Sequence, residues 1–429
     1  MTNKIAYNYF LILFSIIPIT MVAGSSVGVT NILLLDLSFI IFLIYKKDYN
    51  FLSNKYFKYL LFLYLYLIFN SLISFDKEIG FLRNFGFIRM IILFLAINYF
   101  FNQKFFFKKI FLIWLIFFFI LLFDVYFEFT FGKNIFGFEG PGGRIVSFFQ
   151  DEAIVAGFIN AFFLIIIGFL LNEYEMKHKY KILLFALIFL IIIGLTGERS
   201  NTIKAFLGFF LFCIFLKDFK VKTKILATIL IFILSILAIS NSSYLQKRFY
   251  YQFKIELFGS KLGLHNPHET RHYRFNYSHL KKNLSKNIYI KLQKSGLEVF
   301  KQNKFFGVGN KNYRLITCDG VDKPNINFFC STHPHQVYVE FLSEHGLLGS
   351  LILMLLFYKL IFSKIKYVLS SRNYIQIGSL CYLIFSFTPL IPGGAFFSGY
   401  MLTLFIINLS IFFGSDDKLN IFSNDNKWV

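Results

Sequence analysis

The stretch AIVAGFINAFFLIIIGFLLNEYEMKHKYKILLFALIFLIIIGLTGERS, residues 153–200, decides the fold. Two apolar runs, 153–171 and 182–197, flank a polar loop with three lysines, and the second run leads into the short turn GERS. Each run has about the length that crosses the hydrocarbon core of a bilayer, roughly 20 residues. Because backbone groups in lipid must be hydrogen-bonded within their own segment, both runs are predicted to be membrane-spanning helices.

The same pattern extends over the whole chain of 429 residues. The composition is 56% hydrophobic and 21% aromatic, with 63 phenylalanines, which is more apolar surface than a soluble protein of this length can bury. The sequence lacks the alternating strand pattern that is typical of an outer-membrane barrel. We therefore predict an all-α polytopic membrane protein with about twelve spans, at 7–24, 28–45, 58–74, 85–101, 109–124, 153–171, 182–197, 202–216, 225–241, 336–360, 374–391 and 396–413.

Positive charge alternates from one loop to the next. Loops 46–58, 102–110, 172–181, 217–224 and 363–372 carry 17 Lys and Arg residues, whereas the short loops between the other helix ends carry 5. Because basic loops stay in the cytoplasm, both termini and the basic loops are predicted to be cytoplasmic. The other loops then face outward, into the periplasm of a bacterium with an inner membrane.

This topology divides the chain into nine helices (1–241), a large periplasmic loop (242–335), three helices (336–413) and a cytoplasmic tail (414–429). Residues 242–332 carry 16 Lys and Arg against 5 Asp and Glu. The excess has two interpretations: a solvated loop of a generally basic protein, or a surface for a phosphorylated lipid, a pyrophosphate or an acidic glycan. Nucleic acid is not expected as a partner on that side of the membrane.

Two of the four cysteines, Cys318 and Cys330, lie in this loop and flank DGVDKPNINFF. In an oxidising compartment a disulfide closing this short loop is one interpretation, and two free thiols are the other. Cys213 and Cys381 lie inside spans, where apolar packing explains them. The spacing of the cysteines does not indicate a zinc site, so no metal is predicted.

The sequence contains no nucleotide-binding motif, and we predict no cofactor. GxxxxGK[ST] does not occur, GxGxxG does not follow a strand, and GVG at 307–309 is interpreted as a tight turn. An enzyme that faces outward must then take its driving force from a substrate that is already activated on the membrane.

Charged residues gather at the predicted outer ends of the helices. They are Arg89, Arg144, Asp151, Glu152, Glu198 and Arg199. Charges at or inside a bilayer are costly and often functional, although an arginine also reaches lipid phosphates from the interface. The apolar setting of Arg89 and Arg199 favours a functional role, since a guanidinium presents a planar fork that fits pyrophosphate oxygens.

The stretch STHPHQVYVEFLSEHGLLGS, residues 331–350, places two histidines at the beginning of the tenth span. Pro334 fits the first turn of a helix, so Thr332 or His333 is expected to be its cap. The positive end of the helix dipole disfavours imidazolium, and a neutral histidine accepts a proton. We predict that His335 is a catalytic base and that His333 is a capping or surface histidine.

A further stretch, KNIYIKLQKSGLEVFKQ at 286–302, has apolar residues at roughly helical spacing. It is predicted to be a helix that either lies on the membrane surface over a lipid-linked donor or packs against the bundle.

Together these motifs resemble the O-antigen ligase/polymerase family, inner-membrane glycosyltransferases that act on undecaprenyl-pyrophosphate-linked glycans. The matching stretches are DVYFEFTFGKNIFGFE (124–139) before GGRIVSFFQDEAIVAGF (142–158), LTGERSN (195–201), EVFKQNKFFGVGNKNYR (298–314) and THPHQVYVEFLSEHGLLG (332–349). Two departures stand out: the family's His-Asn is His335–Gln336 here, and FFQDE lacks the common glycine before the aspartate.

The resemblance implies a GT-C-like bundle and a metal-independent transfer of a glycan from undecaprenyl pyrophosphate to an acceptor hydroxyl. By the same resemblance, His335 takes the hydroxyl proton, while Arg199, Arg144 and an arginine of the outer loop hold the pyrophosphate. The candidates for that last arginine are Arg271, Arg274 and Arg314, with Arg89 as a further pyrophosphate ligand and His333, Gln336, Glu198, Asp151 and Glu152 in supporting positions.

Three functions fit these observations. A ligase transfers finished polysaccharide to lipid A-core, whereas a polymerase transfers a growing chain to the next glycan repeat, and we favour the ligase. A flippase or transporter of lipid-linked sugar is the alternative from another class. Against transport, the two halves show no internal repeat, and the polar groups gather at one membrane face.

Overall fold

The computed structural model describes residues 3–103, 105–150, 152–252, 254, 287–318 and 328–423, and all regular secondary structure in them is helical. The α-helices are α1 Asn3–Ser15, α2 Ile17–Ala23, α3 Ser25–Lys46, α4 Lys55–Leu72, α5 Lys77–Phe85, α6 Ile88–Phe101, α7 Phe106–Phe131, α8 Val155–Glu173, α9 Met176–Leu195, α10 Arg199–Phe215, α11 Val221–Asn241, α12 Ser243–Leu245, α13 Ile288–Gln302, α14 Tyr313–Cys318, α15 Val337–Leu360, α16 Ile365–Ser371, α17 Tyr374–Ser386 and α18 Gly399–Gly414. Short 3-10 turns occur at Asn50–Ser53, Pro141–Gly143, Ser147–Phe149 and Phe362–Lys364, and a π-helical turn at Gln246–Tyr251.

A helix lies on each of the twelve predicted spans. Seven helical segments of the described chain are long and apolar enough to cross a membrane, or eight if the bent pair α1–α2 is one span. The apolar helices α17 and α18 are shorter than a full span. The all-helical polytopic class is therefore confirmed, and the number of twelve spans stays a prediction.

The centre of the bundle is formed by α8, α17 and α18, whose side chains are buried on nearly all faces. Glycines allow α8 and α17 to approach each other closely: a Cβ on Gly168 would lie 2.2 Å from the Tyr374 carbonyl oxygen. A Cβ on Gly378 would lie equally close to the Leu164 carbonyl oxygen, at 2.2 Å. Small residues at helix contacts are the usual means of close packing in membranes, where lipid and protein are equally apolar.

The five basic loops lie together at one end of the bundle. Residues of these loops, with the segment after α18, contact each other in pairs: Lys179 with Asp218 (2.5 Å), Asn172 with Asn373 (3.0 Å), Asn102 with Asn420 (3.4 Å) and Phe51 with Phe422 (ring centroids 5.7 Å). The grouping is the one expected from the charge alternation. Which side of the membrane this end faces stays a prediction.

At the opposite end, the segment between α13 and α14 packs against α15. Val308 and Gly309 donate their N–H groups to the carbonyls of Ser343 and Glu344, at 3.0 and 2.8 Å. Gly307 and Gly309 have φ of +70° and +95°, so GVG is the tight turn that the sequence indicated. Cys318 and Cys330 form a disulfide near this turn.

Helix α13 also packs on α15, in agreement with the second of the two interpretations of the 286–302 stretch. A Cβ on Gly296 would lie 2.5 Å from Val339 Cγ1 and 2.9 Å from Pro334 Cβ. Leu292 and Val299 are buried in this contact. The helix therefore fixes the segment that carries the two histidines.

Candidate functional site

Helix α15 begins two residues after the second histidine, His335. Its first residue is Val337, and the buried side chain of Gln336 accepts a hydrogen bond from Val339 N at 2.8 Å. The prediction that Thr332 or His333 caps the helix, with Pro334 in its first turn, is therefore wrong. The Gln336 amide oxygen is the acceptor that reaches a free N–H of the first turn, so Pro334 is left outside the helix.

The histidine segment is held by Gly393, in the loop between α17 and α18. The Gly393 N–H donates to the His335 carbonyl at 3.0 Å, and His333 Nε2 lies 3.3 Å from the Gly393 carbonyl oxygen. His335 has φ of +56°, a conformation that costs energy for a residue with a Cβ and persists only when its surroundings fix it. The two imidazole rings lie 3.9 Å apart between centroids.

Both imidazoles favour the neutral form. Burial lowers the pKa of His335, and burial together with the neighbouring His335 and Lys311 lowers the pKa of His333 to about 4. The direction is the predicted one, but the first cause is desolvation, not the helix dipole. A neutral His335 at pH 7 has a ring nitrogen able to accept a proton.

Tyr289 joins the histidines to a group of arginines. Its ring lies edge-on to His335, with 5.8 Å between centroids, and it is also within electrostatic range of Arg248. Arg248 lies in the helical turn beyond α11, and its Nε donates to the Gly197 carbonyl at 3.1 Å. This hydrogen bond holds the segment that follows α11 and α12 against the GERS turn.

Three guanidinium groups surround that turn. Burial lowers the pKa of Arg248, and the positive charges of Arg144 and Arg199 lower it further, so both of these side chains lie within electrostatic range of Arg248. Tyr244 closes the turn by donating its hydroxyl hydrogen to the Thr196 carbonyl at 2.8 Å. Among the predicted site residues, Arg144 and Arg199 thus lie near Arg248, and His335 is linked to Arg248 through Tyr289.

Arg248 was missed by the sequence analysis, which considered other arginines of the outer loop. The available signal was the pair Lys247–Arg248 immediately after the ninth predicted span. A basic pair there also fits a helix end at the interface, and only the fold shows that Gly197 lies opposite.

Glu198 connects the GERS turn to the beginning of α8. One carboxylate oxygen accepts from Ala156 N at 2.8 Å, and the other accepts from Asn201 Nδ2 at 2.7 Å. Burial raises the pKa of Glu198 to about 7, while these hydrogen bonds and the charge of Arg144 oppose the rise. Glu198 therefore acts as a support that fixes α8 against α10.

The remaining predicted arginines lie elsewhere or outside the described residues. Arg89 is near Arg83 and Asp36, and its Nη2 lies 3.4 Å from where a Cβ on Gly399 would be. Arg314 is exposed and within electrostatic range of Lys311. Glu152 is exposed before α8, and Arg271, Arg274 and Asp151 lie outside the described residues.

Two buried carboxylates on α15 support the loops around the site. Both oxygens of Glu340 accept from Phe396 N, at 2.9 and 3.0 Å, and Glu344 accepts from backbone N–H groups at the beginning of α14. Arg83 is within electrostatic range of both carboxylates. The site is therefore framed by two loops that α15 holds in place.

Within the described part of the chain, no three His, Cys, Asp or Glu side chains are grouped to hold a metal ion. The catalytic candidates are instead one imidazole and several guanidinium groups. This arrangement offers a proton acceptor beside a site for anionic oxygens.

Residues 183–354 match the model of a protein family described as O-antigen ligase. The matched region contains α10, Arg248, Tyr289 and His335. The match confirms the family resemblance and supports a role in the assembly of O-antigen or a related polysaccharide. A search of curated proteins finds no significant match.

Proposed function

We propose, on the basis of this similarity to the O-antigen ligases, that the protein is an inner-membrane glycosyltransferase. It transfers a glycan from undecaprenyl pyrophosphate to an acceptor hydroxyl during assembly of lipopolysaccharide or another surface polysaccharide. The observation that carries the proposal is the line from His335 through Tyr289 to Arg248, which connects a neutral imidazole with three guanidinium groups.

In the proposed reaction His335 removes the proton of the acceptor hydroxyl. The acceptor oxygen attacks the anomeric carbon of the donor, and the bond between that carbon and the phosphate oxygen breaks. The electron pair of the broken bond stays on the phosphate oxygen, so the leaving undecaprenyl pyrophosphate gains one negative charge. The proton ends on His335 as imidazolium and is later released to water.

The guanidinium groups stabilise the charge that develops on the leaving group. Arg144, Arg199 and Arg248 surround the GERS turn, where a bidentate guanidinium matches the geometry of phosphate oxygens. Removing one such donor from a transition state commonly lowers the rate by about 10²- to 10³-fold.

The proposed site faces the periplasm, and both termini are cytoplasmic. Support comes from the five basic loops, which lie together at the end of the bundle opposite the site. The donor is lipid-linked and already activated, so the reaction needs no nucleotide on that side.

We favour a ligase over a polymerase, and the match to the family model is compatible with both reactions. In the ligase reaction the acceptor is lipid A-core, and in the polymerase reaction it is another lipid-linked glycan. A flippase or transporter would need mobile polar groups near the midplane, whereas the groups described above lie at one end of the helices.

The proposal is tested by expressing the protein separately in a ligase-null strain and in a polymerase-null strain and comparing the lipopolysaccharide ladders. Restoration of smooth lipopolysaccharide in the ligase-null strain alone is expected. His335→Ala and Arg199→Ala are each expected to abolish transfer while the protein still inserts in the membrane. Full complementation by either variant would overturn the assigned role of that residue.

A further inference from the structure

A small cavity lies beside the Gly393 loop that holds the histidine segment, between α8, α10, α15, α17 and α18. Its volume is about 50 Å³, which is room for one small polar group but not for a sugar ring. One wall is polar and is formed by Asn160, Asn201 and Lys204. The facing wall is apolar and includes Phe396 and Phe405.

The cavity touches both halves of the proposed active site. Asn201 lines it and also donates to Glu198 in the GERS turn, at 2.7 Å. Gly393 lines it from the other side and bonds to the backbone of His335. A group in this cavity would therefore lie between Asn201, which holds the GERS turn, and Gly393, which holds the His335 backbone.

Lys204 supplies positive charge to this cavity without a carboxylate among its lining residues. Its Nζ lies beside Gly393, 3.2 Å from where a Cβ at that position would be, so the glycine leaves space for the ammonium group. Lys204 is partly buried on a membrane helix and the lining includes no acid, a setting that is costly for a lone ammonium group and points to an anion that completes the site. The two amide side chains add hydrogen-bond donors for the oxygens of such an anion.

We propose that Lys204, Asn160 and Asn201 form a phosphate subsite that receives the lipid-proximal phosphate of a polyprenyl diphosphate. This inference rests on the proposed function, whose donor is such a lipid. The arginines of the GERS turn then bind the sugar-proximal phosphate, and the polyprenyl chain leaves the cavity toward the bilayer. Lys204 is thus a binding residue for the leaving group and not a proton acceptor.

The test uses the full-length protein in phosphatidylcholine nanodiscs and measures the equilibrium binding of undecaprenyl pyrophosphate, with uncharged undecaprenol as the reference ligand. Lys204→Met keeps the length of the side chain and removes the charge, and Lys204→Arg keeps the charge. Lys247→Met removes an exposed positive charge at the same end of the protein as a matched control.

Lys204→Met is expected to weaken binding of undecaprenyl pyrophosphate by about 10-fold or more, since hydrogen bonds to charged groups contribute about 1.5–3 kcal/mol. Binding of undecaprenol should not change, Lys204→Arg should recover most of the affinity, and Lys247→Met should stay close to the unmodified protein.

Equal binding by Lys204→Met and the unmodified protein would overturn the subsite. So would a parallel loss for undecaprenol, or loss in both Lys204 variants with a lowered unfolding temperature, because each indicates a role in packing. Competition by phosphatidylglycerol, added to the nanodiscs, would assign the cavity to a phospholipid headgroup instead. If the unmodified protein itself fails to bind undecaprenyl pyrophosphate, the proposed donor is wrong, which is distinguishable from failure of the subsite alone.

Discussion

Replacing Arg248 by methionine tests the role of this residue in the proposed pyrophosphate site separately from its role in the stability of the bundle. The arginine is anchored by its Nε–H, which donates to the Gly197 carbonyl at 3.1 Å, while Arg144 and Arg199 lie within electrostatic range of its guanidinium. Methionine keeps most of the aliphatic length and loses the charge and all donors. The substitution therefore changes two quantities, the stability of the turn and the charge available to the donor.

The two effects differ in size. Loss of the two hydrogen bonds that this charged donor makes, to the Gly197 carbonyl and, at 3.4 Å, to Gln252 Oε1, lowers the free energy of unfolding by about 1.5–3 kcal/mol at this half-buried position. Loss of a charge that contacts the leaving group in the transition state lowers the rate of transfer by about 10²- to 10³-fold. A modest fall in unfolding temperature is thus expected with a large fall in turnover.

The assay is transfer by purified protein in nanodiscs, from an undecaprenyl-pyrophosphate-linked glycan to its acceptor, with kcat and KM measured separately. Arg248→Met is expected to lower kcat mainly, and Arg248→Lys to recover part of it, because lysine keeps the charge but not the planar fork. Lys294→Met, at an exposed position of α13, serves as the control for general loss of positive charge.

A rate for Arg248→Met within about threefold of the unmodified protein would refute the assignment of this residue to the donor. An equal fall in Lys294→Met would show that general attraction of an anionic substrate, not a specific contact, is responsible. If the large fall in kcat disappears when the protein is assayed well below its unfolding temperature, Arg248 has a structural role only.

Three further results are expected. Because burial lowers the pKa of His335 below its ordinary value of 6.5, the neutral base predominates at pH 7 and above; kcat should be level there and fall with a midpoint below pH 6.5, and a midpoint at or above pH 6.5 would contradict the assignment. Maleimide should label two thiols in the denatured protein without reductant and four after reduction, since Cys318 and Cys330 are bonded; four from the start would exclude the disulfide. Glu340→Ala leaves the buried N–H of Phe396 without its acceptor and should lower the free energy of unfolding by about 1–3 kcal/mol, measured as a lower unfolding temperature in detergent.

The class of the fold follows from the sequence because its physical cause is local. A run of about 20 apolar residues forms a helix in lipid whatever its neighbours are, so α8 lies within two residues of its predicted limits and α9 covers most of its predicted span, although it begins six residues earlier, at Met176. The beginning of α15 at Val337 was also close to the prediction of 336. The residue that caps α15 was predicted wrongly. Pro334 lies outside the helix, beside Gly296 of α13, and the Gln336 side chain accepts the hydrogen bond from Val339 N.

The candidate site was only partly predictable. His335 and Arg199 could be selected from their own surroundings, since a histidine before a span and an arginine in a four-residue turn have few structural uses. Arg248 could not, because its partner, the Gly197 carbonyl, is 51 residues away in sequence. Lys204 could not be selected for a similar reason. In the sequence it is one charged residue of a predicted span, and only the fold shows that it lines a cavity with residues of α17 and α18.

Two glycine-containing loops control the distance between the imidazole and the guanidinium groups. Gly197 accepts from Arg248 in the turn between α9 and α10, and Gly393 bonds to His333 and His335 from the loop between α17 and α18. These loops belong to different helix pairs, and both pairs contact α8. The proposed catalytic geometry therefore depends on how α8 packs against both helix pairs, together with Arg248 and Tyr289 of the outer segment. On this view the alignment of the proposed base and leaving group depends on the packing of α8, whose side chains are buried on nearly all faces.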